Sequence, residues 1–484
     1  MFEAKGVLRL RRRRVGVVIL AVVLLSTAAC GGSALSPQEV QAANNAVAGG
    51  GTGTGTTTTG DVTGTGTGTT GGTEAGGSTG TGAGTTGSTG STGGSTAGTK
   101  AATAGLSKGS CAGFKNTTGI TDSTITIGNS SDISGPVPGI FQAAQDAVKA
   151  YVAYFNSTSD ICGRKLQLLT EDTRTDAGGD QQAYQTLCSQ AFAAVGSMSA
   201  FDSGGASTAQ GCGLPDLRAA ITTSQRAACS TCYASQGSNP AVYENAPFTY
   251  FMQHDKAATQ HAALLYLNAA GAAQNAATIK AVAAKLGMPF QYVAGIGITE
   301  FNYGPYVQAM KSKGIKFVMF MGAYQNTVTL QQAMAQNSFK PDVFLQDPTI
   351  YDPAYVKSAG SDGNGTYVYM NFLPFSLASS NKEMSTYLAW LHQVSPNSSP
   401  TFYGVFAWSA AALFVQEAIK LGGKLTRASL VSALHGVSNW SANGMTAPQS
   451  VGAKMNGSCW RFVRLENGAW QNVSGYQCDG ITHT

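Results

Sequence analysis

ITIGNSSDISGPVPGIFQAAQDAVKAYVAYFN, Ile125 to Asn156, is the stretch that decides the fold. ITIG, Ile125 to Gly128, is a short apolar strand. SSDISGPVPG is a loop crowded with turn formers, and a helix follows it. Ile140, Ala144, Ala147, Val148, Tyr151 and Phe155 recur on one face of that helix at the three- and four-residue spacing of an amphipathic segment. A strand that hands its chain to a packed helix through a polar loop is half of a βαβ unit.

Reading outward, the same alternation continues. KLQLL (Lys165 to Leu169), FAAV (Phe192 to Val195), LRAAI (Leu217 to Ile221), KFVMFM (Lys316 to Met321) and DVFLQ (Asp342 to Gln346) are short apolar runs of buried-strand length. Most are separated by helical stretches or polar loops, which implies right-handed crossovers and parallel sheets. The chain closes with a hairpin, Trp460 to Leu465 and Ala469 to Val473, turned at Asn467-Gly468. The class is α/β, with about 370 residues after Cys111, enough for two sizeable cores.

Ahead of this lies a different kind of sequence. Six of the 30 basic residues and one of the 25 acidic ones fall in the first 29 positions, so the remainder is balanced at 24 of each. No basic surplus is left for nucleic acid. The positive start precedes an eleven-residue run, Val15 to Leu25, too short for a bilayer span of about 20 residues but suited to a signal-peptide core. No later stretch reads as a transmembrane helix. LSTAAC, Leu25 to Cys30, resembles a bacterial lipobox, with Thr27 where leucine is commoner; the alternative is an ordinary secretory signal cut near Ala29. Lipidation of Cys30 would anchor the protein outside the cell membrane. From Ala46 to Lys100 the chain is almost all Gly, Thr, Ser and Ala, with Asp61 and Glu74 its only acidic residues, and it has no apolar face to bury. The expected organisation is a signal peptide over 1–29 and a lipidated, disordered tether over 30–110. The tether also contains Gly76, Gly77, Ser78, Thr79 and Gly80, a G-x-S-x-G match without the strand and helix that a nucleophile elbow needs.

Eight cysteines remain beyond Cys30, an even number that suits disulfides in an exported protein. Cys459 with Cys478 would close the terminal hairpin, and Cys162 with Cys188 would tie a strand start to the next helix. Cys229-x-x-Cys232 lacks a second ligand pair for zinc and reads as a structural disulfide. None of the histidines, His254, His261, His392, His435 and His483, sits at a metal-ligand spacing or beside a recognisable nucleophile. Glu171 and Asp172 are adjacent on a strand and face opposite sides. No signature of catalysis, metal or cofactor is present in these motifs.

What recurs is small hydroxyl residues just beyond strand ends: Ser130, Ser131 and Ser134, then Ser197 and Ser199, then Thr222, Thr223 and Ser224. Tyr324 and Asp347 follow two further strands. In open parallel sheets, ligands bind outside the carboxyl ends of the strands. Ser and Thr are also ordinary loop and N-cap residues, which is the competing explanation.

With these residues in view, Ile125 to Asn156 and GRKLQLLTEDTRTD (Gly163 to Asp176) resemble branched-chain-amino-acid-type ABC transporter solute-binding proteins. So do PYVQAMKSKGIKFVMFMG (Pro305 to Gly322), KPDVFLQDPTIYDPAY (Lys340 to Tyr355) and FAWSAAALFVQEAIKLGGKLTRASLVSAL (Phe406 to Leu434). The resemblance implies a periplasmic-binding-protein type I fold: two Rossmann-like α/β lobes joined by three crossovers and closing on a small solute. Lobe one would comprise 121–250 and 372–455, lobe two 251–371 and 456–475, with a tail over 476–484. Ligand contacts carried over from the family fall at Ser199, Thr222, Thr223, Ser224 and Tyr324, with Asp347 beside the family's acidic position, which is here Pro348. Ser134 and Ser197 join them as strand-end hydroxyls. After YLNAAG (Tyr266 to Gly271) a strand and a tyrosine-bearing loop of the family are missing. The expected function is capture of a small polar solute, an amino acid or amide-like compound, for an ABC permease. A ligand sensor without transport and a surface scaffold with a degenerate cleft are the alternatives.

Overall fold

A computed structural model describes residues 106–484. Cys30, the signal segment and all but the last residues of the tether lie outside the described residues.

The first sheet has five parallel strands in the order β2-β1-β3-β4-β5: β1 (Thr124–Ser131), β2 (Lys165–Asp172), β3 (Ala193–Val195), β4 (Asp216–Arg218) and β5 (Cys232–Ala234). Helix α1 (Gln142–Thr158) covers one face with the apolar stripe read from its sequence, burying Ala144, Ala147, Val148, Tyr151 and Phe155. Helix α2 (Ala177–Gln190) covers the other through Tyr184 and Leu187. The strand β1 runs past ITIG through Ser131, so Ser130 and Ser131 belong to the strand and not to the loop beyond it. Conversely LRAAI is strand only to Arg218, and Ala219 to Ile221 begin the loop.

A short strand, β6 (Val242–Glu244), lies on the first crossover. The second sheet has the order β13-β12-β11-β10-β9-β7-β8. Its parallel strands are β7 (Ala262–Leu267), β8 (Tyr292–Ile296), β9 (Phe317–Met321), β10 (Val343–Gln346) and β11 (Thr366–Met370), interleaved with helices that include α3 (Ala270–Lys285) and α4 (Tyr324–Gln336). The chain then returns to the first lobe as α5 (Lys382–Val394), α6 (Phe402–Leu421) and α7 (Arg427–His435). It crosses a third time to add the antiparallel hairpin β12 (Arg461–Glu466) and β13 (Ala469–Asn472). Asn467 and Gly468 both have positive φ, 50° and 76°, as a two-residue turn matched to strand twist requires. The second sheet is continuous across its seven strands: α3 follows β7 directly and β8 takes the edge.

Phe402–Lys424 is long and apolar enough to cross a membrane, contrary to the sequence reading. It is a core helix, with 83% of its apolar window buried. Trp408 on α6 stands edge-on to Tyr151 of α1 at 4.8 Å, and its indole donates to Glu383 Oε1 at 2.7 Å. A membrane helix would leave that surface to lipid; here another helix occupies it.

Two expectations about the termini change. The end of the tether is docked: the amide of Gly109 donates to Ile419 O at 3.0 Å, and that of Gly423 to Ser110 O at 2.7 Å. A Cβ on Gly109 would lie 2.4 Å from the Lys420 carbonyl, so only glycine permits this approach. The tail is a strand, β14 (Ile481–His483), antiparallel to β6.

Four disulfides are present: Cys111–Cys162, Cys188–Cys212, Cys229–Cys232 and Cys459–Cys478. The expected Cys162–Cys188 pair does not form. Cys188 sits near the end of α2, beside the Gln210–Gly213 turn that carries Cys212, whereas Cys162 lies before β2, where the docked N-terminal segment delivers Cys111. Cys459–Cys478 closes 19 residues and holds the chain that leads into β14. Replacing both cysteines by alanine should lower stability by roughly 3 kcal/mol on the loop-entropy estimate, measured by denaturant unfolding. It should also speed hydrogen exchange at Val242–Glu244, the strand that β14 covers.

Candidate functional site

The strand ends of both sheets face one cleft of about 790 Å³. Its walls come from Phe141 and Gln142 at the start of α1, Ala220 to Thr222 after β4, Met321 to Gln325 after β9, and Asp347 to Thr349 after β10. Its floor comes from the crossovers: Tyr243 and Glu244 on β6, and Asn456 and Trp460 ahead of β12, with Tyr369 of β11 beside them.

Thr222, Tyr324 and Asp347 line this cleft. Ser134, Ser197, Ser199, Thr223 and Ser224 are not among its lining residues, and each has a definite alternative partner. The Ser134 hydroxyl donates to Asp172 Oδ2 at 2.5 Å, while that carboxylate also accepts the Ile133 and Ser134 amides, both at 3.1 Å. Ser197 Oγ accepts the Ser130 amide at 3.0 Å, and Ser199 Oγ accepts that of Phe201 at 3.1 Å. Thr223 donates to Asp202 Oδ1 at 2.6 Å and caps the Ser224–Ala228 helix. Ser224 faces α3: its amide donates to Gln274 Oε1 at 2.9 Å, and its hydroxyl accepts from Gln274 Nε2. These hydroxyls serve as caps and loop braces, the ordinary use of Ser and Thr.

Ser224 with Gln274, and the Gly271 amide donating to Ala200 O at 3.2 Å, join the two lobes along one edge of the cleft. A Cβ on Gly271 would approach the Thr222 Cβ to 2.9 Å, so the start of α3 passes lobe one only as glycine.

The residues that sequence reasoning missed are those of the floor. Tyr243 and Tyr369 are buried and their hydroxyls hydrogen-bond to each other, linking the first crossover to β11. Glu244 is 3% exposed, and its Oε2 accepts from Asn456 Nδ2 at 3.2 Å. Asp347 is 8% exposed, and its Oδ1 accepts the Thr349 amide at 2.8 Å. Burial pushes the Glu244 carboxyl up to about 7, with the nearby Asp347 charge adding to the rise, and burial pushes Asp347 up to about 6. Burial and the neighbouring acids push both tyrosines well above the usual phenol range. One signal was available in the sequence: Glu244 is the lone charge in the apolar run PAVYENAPF, Pro240 to Phe248.

The periplasmic binding protein family matches residues 124–469. Among curated proteins, none matches. Among solved structures, a fatty acid ABC transporter substrate-binding protein from Thermomonospora curvata aligns with TM-score 0.66 and 16% identity, over 76% of this chain and 95% of that one. A branched-chain amino acid transporter substrate-binding protein from Streptococcus pneumoniae, in complex with isoleucine, aligns with TM-score 0.60 and 14% identity, over 72% and 98%. A solute-binding protein of an R. palustris ABC transporter, in complex with 4-hydroxybenzoate, aligns with TM-score 0.60 and 15% identity, over 74% and 97%. At these identities the likeness establishes the fold.

The two raised carboxyls set a pH dependence for the unliganded protein. Both bind a proton more tightly folded than unfolded, so their contribution is fully present below the unfolded values near 4 and is lost as pH rises through about 6 and about 7. A tenfold difference in proton affinity corresponds to about 1.4 kcal/mol, so stability should fall by a few kcal/mol from about pH 4 to pH 8. Glu244→Gln should flatten the Glu244 part of that slope in thermal melts taken across the range.

Proposed function

The chain belongs to the periplasmic binding protein family, and on that premise we propose that it captures a small polar solute, amino-acid-like or amide-like, and delivers it to the permease of an ABC importer. The observation that carries this reading is the cleft, about 790 Å³ with walls from both sheets and a floor of crossover strands. That volume is in the range of small-molecule sites, roughly 300–1,000 Å³. Three chain crossings allow the lobes to rotate about the floor without breaking either sheet, which is hinge closure. The solutes named for two structural neighbours, isoleucine and 4-hydroxybenzoate, are of a size that such a cleft accommodates. The relatives are solute-binding proteins, and binding with closure is all this role requires; ATP hydrolysis would belong to the importer's other subunits.

We read Cys30 as the lipidated residue that holds the protein at the outer face of the cell membrane. Cys30→Ser should move the protein from the membrane fraction to the medium or soluble extract while its thermal unfolding stays unchanged.

The binding reading is tested on purified protein that has been unfolded and refolded to remove carried-over solute, in a thermal-shift screen of amino acids, amides, amines and small organic acids. A solute present at about 100 times its Kd adds roughly 2.7 kcal/mol, a rise of several degrees for lobes of this size. A well-folded protein that no member of the panel stabilises would count against solute capture and favour the scaffold alternative.

A further inference from the structure

The charges lining the cleft are unequal: Asp146, Glu244, Asp347 and Asp352 stand against a single ammonium, Lys149, which is exposed. Asp146 accepts from Gln142 Nε2 at 3.1 Å, and Asp352 caps the Pro353–Ala359 helix through the Ala354 amide at 2.7 Å. Glu244 in the floor and Asp347 in the adjoining wall differ in being buried, and they are close enough that the Asp347 charge acts on Glu244. No ion pair among the described residues reaches either one. Buried carboxylates are ordinarily paired with a cation, and here none of the described residues supplies one. Tyr243, Tyr369 and Trp460 line the same floor and offer aromatic surface, which attracts cations. Meanwhile the lobe-one hydroxyls suited to a ligand carboxylate are turned to other partners: Thr223 to Asp202, Ser224 to Gln274, and Thr222 Oγ1 to Ser199 O at 3.0 Å.

We propose that the solute of this cleft is an organic cation, a diamine or guanidinium compound whose protonated nitrogens sit between Glu244 and Asp347, and not a carboxylate-bearing amino acid or aromatic acid. The proposal rests on the solute-capture reading and replaces its amino-acid-like or amide-like solute with a cationic one. Glu244 comes from the first crossover and Asp347 from the end of β10, so a cation between them bridges the hinge to lobe two. The second carboxylate makes one positive charge too few for the floor, which selects against zwitterions. Anions would meet two buried acids directly.

The test is calorimetric titration of the intact chain at about pH 7.5, above the values of about 7 and about 6 to which burial raises Glu244 and Asp347, so that both meet the cation as carboxylates. The protein is refolded with its disulfides kept oxidised, and the probes are putrescine, agmatine, L-leucine, benzoate and acetamide. Putrescine or agmatine should bind at least tenfold more tightly than leucine, and benzoate should not bind. Glu244→Gln and Asp347→Asn should each weaken the cation at least tenfold, with circular dichroism matching the parent protein. If one variant fails to refold, the other carries the comparison. Tighter binding of leucine, benzoate or acetamide, unaffected by either substitution, would overturn the cation assignment and leave solute capture standing. Silence from all five probes would count against both.

Discussion

Lobe one is organised around buried charge. Arg226 reaches Asp180 at 2.7 Å, Asp216 at 2.9 Å and the Asp202 carbonyl at 2.7 Å, and its guanidinium lies 4.2 Å from the Tyr184 ring centroid. Arg218 adds longer pairings to Asp202 and Asp216, both at 3.7 Å, and donates to the Tyr184 hydroxyl. All five charged side chains are fully buried. Removing one member of such a network leaves an uncompensated charge in the interior, at a cost of about 3–5 kcal/mol. The network ties together α2, β4 and the turn after β4, and so fixes where the cleft wall begins. Through Asp202, which receives the Thr222 amide and the Thr223 hydroxyl, it also fixes what that wall can offer. The wall presents the Thr222 side of this turn, while Thr223 is committed to holding it.

This explains how much of the molecule could be read from its residues. The α/β class, the amphipathic face of α1, the strands and the Asn467-Gly468 hairpin were legible because periodicity and turn chemistry are local, although KLQLL, read as buried, is the edge strand β2 with only Leu166 buried. The ends of elements were less so. Ser130 and Ser131 prolong β1 because β2 continues to pair with it and Ser131 also bridges Met198, which no local pattern reveals. The hydroxyls after the strands were found, but their partners were not. Asp172, Asp202 and Gln274 are distant in sequence, and each takes a hydroxyl that would otherwise be free for a ligand. Cysteine pairing failed for the same reason: Cys111 is brought to Cys162 by a glycine that docks against α6. Most floor residues lie on crossovers, where β6 is only three residues long and too short to show a period, so Glu244 and Tyr243 passed unremarked.

Floor and walls therefore have different physical characters. The walls are strand ends braced by capping hydrogen bonds and oriented by the buried ion network. The floor is aromatic and acidic, built from the segments that must bend for the lobes to move. The Tyr243–Tyr369 hydroxyl bond and the β6–β14 pairing limit how those segments can move. A solute resting on the floor would touch the crossover segments themselves, and occupancy and lobe angle would then be coupled through the same few side chains.

The docked N-terminal segment has a mechanical consequence. Chain tension arriving at Leu106 enters the fold at the carboxyl end of α6, through the bonds of Gly109 to Ile419 and of Ser110 to Gly423. Cys111–Cys162 then passes it to the loop between α1 and β2. Every element on that route belongs to one lobe, and none is a crossover. A pull on the chain ahead of Leu106 would thus be borne within lobe one as a static load, leaving the second lobe as free as if its partner were bolted to a post.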